Sequence, residues 1–132
     1  MDENRSMPPS DVIPVLGYPD VGGAVAWLGE AFGFRVRWQA GGHRAQLAVG
    51  SGAVVVTEAP GDAATIMVRI ADADAHHAQA HRAGATILSP PTDQPYGERQ
   101  YTAQDPAGHR WTFSETIADV APEAWGGRSF EP

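Results

Sequence analysis

Residues 12–33, VIPVLGYPDVGGAVAWLGEAFG, and residues 65–84, TIMVRIADADAHHAQAHRAG, describe the same unit twice. In each, a β-branched run leads to an Asp that opens a helix, and the helix closes on a Gly. Asp20 and Asp72 are side-chain caps for exposed helix amides, and Gly33 and Gly84 supply the left-handed stop. Ala24, Leu28, Ala31 and Phe32 recur at helical spacing. Beyond the first copy, residues 34–38 and 44–49 alternate as strands around the Gly41-Gly42 turn, and a fourth strand runs from Ala53 to Glu58. Beyond the second, short strands are predicted at 86–89, 98–104 and 109–115, with residues 90–97 as a loop. The repeat extends to the last strand of each half, since Gly52 precedes AVVVT as Gly108 precedes HRWTF. The chain is an internal duplication with the order strand, helix, three strands.

Composition narrows the chemistry. At 132 residues, 42% hydrophobic and 19% charged, the chain suits one globular unit. There is no Cys, so disulfides, thiolate nucleophiles and Cys metal sites are excluded, and all nine basic residues are Arg, which excludes Schiff-base chemistry on Lys. Most of the net charge of −7 sits in the tails, at Asp2, Glu3 and Asp11 and at Glu115, Asp119, Glu123 and Glu131. No basic cluster remains for a phosphodiester backbone, so a nucleic-acid partner is not expected. The apolar runs are far too short to span a bilayer, and MDENRSMPPS is acidic and Pro-rich without a signal core; the expectation is no membrane and a cytoplasmic location. Residues 1–10 read as a mobile tail, 11–117 as one domain with modules at about 11–58 and 65–117, and 118–132 as a C-terminal tail anchored by Trp125 and Phe130.

The tandem βαβββ order, with PDVGGAVAWLGEAFGF in the first half and QPYGERQYTAQDPAGHRWTF (94–113) in the second, resembles the vicinal oxygen chelate superfamily. This is the fold of glyoxalase I, bleomycin-resistance proteins and extradiol dioxygenases. The resemblance implies an α+β fold in which two modules curl a mixed sheet into a cup. It further implies a pocket that often holds a divalent metal, and a homodimer whose pockets combine modules from two chains. Members that bind metal place one ligand seven residues before each helix-opening Asp and another four residues after the Gly of each last turn. Here those points are Ile13, Thr65, Val56 and Thr112. Two hydroxyls and two aliphatics are a poor donor set for a divalent cation, so no metal and no cofactor are expected.

The same alternation directs Val15, Val54, Glu58, Met67, Arg69, Arg110 and Ser114 into the cup, with Ile66, Val68, Ile70, Trp111 and Phe113 against the helices. Arg110 and Ser114, near strand ends, read as solvated. Trp38, Gln46 and Tyr101 lie on the middle strands as stacking or hydrogen-bonding candidates. Glu58 and Arg69 are a pair that meets across the module junction or anchors a ligand. Tyr96 and Arg99 belong to a loop that, in the family resemblance, borders the pocket. The candidate ligand-binding set is therefore Trp38, Gln46, Glu58, Met67, Arg69, Tyr96, Arg99 and Tyr101, with no catalytic residue. His76, His77 and His81 read as one solvated helix face, and His109 as a cap at the start of its strand. Gly22-Gly23 fits no phosphate-binding fingerprint, and no nucleophile elbow is present.

The reading that follows is a metal-free binder of a hydrophobic or aromatic small molecule, of the bleomycin-resistance type. Two alternatives stand beside it. One is a lyase, isomerase or dioxygenase of the same superfamily, with Glu58 as acid or base. The other is a protein-interaction module engaged through the acidic tails and Trp125.

Overall fold

The computed structural model describes residues 4–7, 10–60 and 63–130. The first module comprises β1 (Val15–Tyr18), α1 (Val21–Phe32), β2 (Arg35–Ala40), β3 (Arg44–Val49) and β4 (Gly52–Glu58). The second comprises β5 (Thr65–Arg69), α2 (Ala73–Arg82), β6 (Thr86–Asp93), β7 (Glu98–Gln104) and β8 (Arg110–Thr116), and a 3-10 turn spans Pro122–Trp125. Each module contributes a four-stranded sheet, ordered β1-β4-β3-β2 and β5-β8-β7-β6. The parallel pairs are β1/β4 and β5/β8, and all others are antiparallel. The α+β duplication is therefore present, with two open sheets.

The caps form as their chemistry requires. Asp20 Oδ1 accepts from the Gly23 amide and Asp72 Oδ1 from the Ala75 amide, each at 3.0 Å. Gly33 ends α1 at φ 77°, and its amide returns to the Gly29 carbonyl. Two of the boundaries that differ from the sequence reading have their cause in proline. β1 begins at Val15 because Pro14 has no amide to give a ladder, although its carbonyl still accepts from Val55. β6 continues through Pro90-Pro91 to Asp93, since it is an edge strand whose two irregularities absorb residues that cannot donate.

Both sheets turn one face into a single core. Leu16, Tyr18, Leu47, Val54 and Val56 enter it from the first sheet, Tyr101, Ala103, Trp111 and Phe113 from the second, and Leu28 and Phe32 from α1. The Phe32 ring lies within 6.1 Å, centroid to centroid, of the rings of Trp27, Phe34, His76, Trp111 and Phe113. The helices pack together between the sheets. The opposite face of each sheet consequently points outward.

This arrangement corrects the expected facing in β4. Val15 pairs with Val55 and Leu16 with Val56, so Val55 shares the open face while Val54 and Val56, 3% and 0% exposed, lie in the core. Glu58, opposite Tyr18, follows Val56 to the helix side. The cause is the turn: counting forward from Gly52 overshoots by one residue relative to counting from Gly108. In the second module the expected facing is observed, with Met67 beside Thr112 on the open face and Trp111 and Phe113 in the core.

Two histidines knit the modules together. His109 is buried; its Nδ1 accepts from the Ala64 amide at 3.0 Å and its Nε2 donates to the Gly17 carbonyl at 2.9 Å. It joins β1 to the start of β5, a larger role than a strand cap. Beside it, buried Asp105 accepts at Oδ2 from Tyr18 Oη (2.6 Å) and Trp111 Nε1 (3.1 Å), and at Oδ1 from the amides of Ala107 and His109 (both 3.0 Å). Burial, and then the Asp105 carboxylate, push the Tyr18 hydroxyl far above the ordinary phenol range, so it remains a donor.

His76, expected on a solvated face, instead packs its ring on Phe113 at 4.2 Å and bonds through Nδ1 to Tyr101 Oη. Its Nε2 donates to the Phe32 carbonyl at 3.2 Å. Small residues elsewhere on α2, with Ala73 and Ala80 buried, bring the helix close enough for the imidazole to fill the gap. Burial lowers the His76 pKa, and the Phe32 carbonyl partly opposes that shift. A lowered folded value means that its stabilisation is complete above the unfolded pKa of about 6.5 and is lost as pH falls through the folded value. Urea titrations at a series of pH values should show His76→Phe flattening the acid limb of the stability curve. An unchanged slope below neutrality would reject this assignment.

Candidate functional site

The open face of the second sheet forms a cavity of about 630 Å³. Met67 and Arg69 of β5, Glu98 and Gln100 of β7, and Ser114 of β8 form its floor; Pro95, Tyr96, Val120, Pro122 and Trp125 form its walls. Two smaller depressions lie elsewhere, one at the start of α1 beside Trp27 and one where α1 meets α2. Neither gathers a comparable polar network.

The walls depend on Gly97. At φ 84° it turns the chain into β7, and its carbonyl accepts from the amides of Ile117 (2.9 Å) and Ala118 (3.2 Å) as the chain leaves β8. A Cβ there would sit 2.4 Å from the Ala118 carbonyl oxygen, so only Gly permits this approach. The chain then bends at Pro122 and sets the Trp125 ring edge-on to Tyr96 at 5.7 Å. Ser129 closes the segment, donating through its amide (2.6 Å) and hydroxyl (3.0 Å) to the Glu123 carboxylate.

The floor carries a hydrogen-bond chain with one direction. Tyr96 Oη donates to Gln100 Oε1 (2.9 Å), Gln100 Nε2 to Ser114 Oγ (3.1 Å), and Ser114 Oγ to Glu98 Oε1 (2.6 Å). Ser114 is buried within this chain, contrary to the solvated reading of its strand end. Bonds from Ser114 and then Thr116, with help from the Arg69 charge, hold the Glu98 carboxyl below its ordinary range. Arg69 itself donates to Thr116 Oγ1 at 3.0 Å. The cavity thus offers an ionised carboxylate at one end, aromatic and aliphatic walls, and a Tyr oxygen free to accept at the other.

Of the candidate ligand residues, the structure brings Met67, Arg69 and Tyr96 together here. Trp38 and Gln46 share the open face of the first sheet, where Gln46 pairs with Val55. Glu58, Arg99 and Tyr101 lie on the helix side. Tyr101 is buried against His76 and Phe113, and Arg99 bridges Asp74 of α2 (3.0 Å) and Asp93 of β6 (2.8 Å). Among the described residues those are the ion pairs, and Glu58 and Arg69 do not form one. Sequence reasoning passed over Glu98, Gln100 and Trp125 as liners. The alternation that placed Thr112 and Ser114, carried across the hairpin at residues 105–108, assigns Glu98 and Gln100 to the same face.

The corrected register leaves the four positions implied for metal ligands as Ile13, Val55, Thr65 and Thr112. Thr112 Oγ1 is already paired with Thr102 Oγ1 at 2.9 Å. Among the described residues no group of three or more His, Asp or Glu side chains gathers. This donor set does not fit a divalent metal. Among the described residues no helix is long and apolar enough to cross a membrane.

The sequence model of the Glyoxalase/Bleomycin resistance protein/Dioxygenase superfamily matches residues 13–113. Among solved structures, TioX from Micromonospora sp. ML1 is 32% identical, with a TM-score of 0.73, over 82% of this chain and 99% of that one. Lactoylglutathione lyase from Agrobacterium tumefaciens shares the fold at 14% identity and a TM-score of 0.69, over 82% of this chain and 94% of that one. An uncharacterized protein of Mycobacterium bovis is 32% identical over 71 residues, 54% of this chain. That match spans about half the length of the curated relative, 47%. The duplicated βαβββ order, the two helix-backed sheets and these matches together show that the chain belongs to the glyoxalase/bleomycin resistance/dioxygenase superfamily.

Proposed function

We propose that the protein binds a flat, hydrophobic or aromatic small molecule in the cavity of the second sheet, without a metal. The observation that carries this reading is the cavity itself, where apolar walls and one aromatic pair surround a polar floor of Arg69, Glu98, Gln100 and Ser114. Such a floor offers acceptors in Glu98 and Tyr96 and a cationic donor in Arg69 to orient a ligand, while the walls supply the affinity. A ligand that binds only the native state stabilises it by about 2.7 kcal/mol at a hundredfold excess over its Kd. A thermal-shift screen of flat aromatic compounds should therefore yield ligand-specific stabilisation of several degrees, and Zn, Ni, Mn and Fe salts should yield none. Elemental analysis that finds a stoichiometric metal, or metal-dependent turnover of a small carbonyl compound or catechol, would overturn the proposal.

The working form of this reading is a homodimer. The outward faces leave Val15 54% and Met67 63% exposed, and a two-fold partner covers such residues while closing the cavity from above. Sedimentation at micromolar concentration should give a species of twice the chain mass. A single-chain species there would refute the dimer while leaving the ligand screen to be judged separately.

A further inference from the structure

The hydrogen-bond donors on the floor of the second-sheet cavity are not equally available to a ligand. Tyr96 Oη gives its proton to Gln100 Oε1, Ser114 Oγ gives its proton to Glu98 Oε1, and the Thr116 hydroxyl also serves Glu98. Gln100 Nε2 keeps one proton beyond its bond to Ser114 Oγ. Every other side-chain N–H on the floor belongs to Arg69. A guanidinium carries a planar fork of such donors, and Arg69 uses a single one, from Nη2 to Thr116 Oγ1 at 3.0 Å. Among the described residues the ion pairs are those of Arg99 with Asp74 and Asp93, so no carboxylate touches Arg69.

Thr116 stands between the two charges of the floor. Its hydroxyl accepts from Arg69 and donates to Glu98, which fixes one edge of the guanidinium and keeps cation and anion from closing on each other. The two charges are then served unequally. Glu98 receives two hydroxyl protons and lies in the field of the Arg69 charge, whereas Arg69 meets only a neutral oxygen. Its fork is weakly hydrated and matches a carboxylate through two parallel bonds. Glu98, held off from Arg69 by Thr116, repels such an anion from farther away than the guanidinium attracts it. Met67, two residues before Arg69 on β5, and the Tyr96–Trp125 pair supply apolar surface beside that open edge.

We propose that the cavity is selective for aromatic carboxylates: the ring lies against Tyr96, Trp125 and Met67, and the carboxylate takes the open edge of Arg69. This inference rests on the reading of the cavity as a ligand site and adds the charge that its ligand carries.

Calorimetric titration at neutral pH with naphthalene derivatives of one shape tests it, using anionic naphthoate, neutral naphthamide and cationic naphthylmethylamine. Naphthoate should bind wild type about tenfold more tightly than naphthamide, the effect of a charge-assisted contact discounted for an exposed guanidinium, and naphthylmethylamine more weakly than either. Arg69→Gln should bring the naphthoate and naphthamide affinities together, and Arg69→Lys should restore only part of the gap, since an ammonium lacks the fork. Each ratio is taken within one protein, so a change in stability common to both compounds cancels, and the wild-type series needs no variant. If naphthamide or naphthylmethylamine bound wild type as tightly as naphthoate, or if Arg69→Gln left the ratio unchanged, the inference would fall while the ligand reading stood. Binding of none of these compounds would overturn both.

Discussion

Asp105→Ala is expected to destabilise the fold by about 3–5 kcal/mol, measured by chemical denaturation at neutral pH. The carboxylate accepts four bonds in a buried turn, and its removal leaves Tyr18 Oη, Trp111 Nε1 and the amides of Ala107 and His109 without an acceptor. Water has little access to replace it. The change also uncouples the two modules, because Tyr18 belongs to β1 and the other three donors belong to the turn before β8 or to β8 itself. Against a total stability of about 5–15 kcal/mol for a single domain, this is a large fraction. Tyr18→Phe removes one donor and leaves the rest in place, so about 1 kcal/mol is expected. If Asp105→Ala cost no more than Tyr18→Phe, the four-bond hub would not be what holds this corner.

Gly97→Ala is expected to strip one wall from the candidate cavity and to cost about 1–3 kcal/mol in stability, because a side chain at φ 84° is strained and its Cβ meets the Ala118 carbonyl. The segment that carries Val120, Pro122 and Trp125 must then move away. Calorimetric titration with an aromatic compound taken from the thermal-shift screen should show about tenfold weaker binding, the equivalent of roughly 1.4 kcal/mol. Trp125→Ala provides the contrast: the ring is partly exposed and its loss should weaken binding with little change in melting temperature. Unchanged affinity in both variants would remove the C-terminal segment from the site.

The duplication, the caps at Asp20 and Asp72 and the core role of Trp111 and Phe113 were legible in the sequence, because each rests on local periodicity or on a single side-chain bond. The facing of β4 was not. Its run AVVV has no alternation, so only the register against β1 distinguishes Val55 from Val56. His76 was misjudged for a related reason: α2 is so rich in Ala that its buried stripe carries no hydrophobic signal, and the imidazole is the largest group available to fill it. Within the candidate site, Met67, Arg69 and Tyr96 were named in advance. Glu98 and Gln100 were passed over, and Ser114, although directed into the cup, was read as solvated, because polar residues on an alternating strand look solvated until the bonds among them are seen. Trp125 joined them through a carbonyl of Gly97, a contact that leaves no trace in residue type.

The single core between the two sheets has a consequence for how the molecule folds. Although the sequence doubles one unit, neither copy owns the surface it buries: Phe32 of the first half packs on Trp111 and Phe113 of the second, and Leu16, Leu47 and Val56 share that interior. Half the chain would therefore leave its sheet greasy on the inner side. The repeat is an autonomous unit only on paper, and the cooperative unit is the pair, assembled in one step because each half is the solvent-excluding wall of the other.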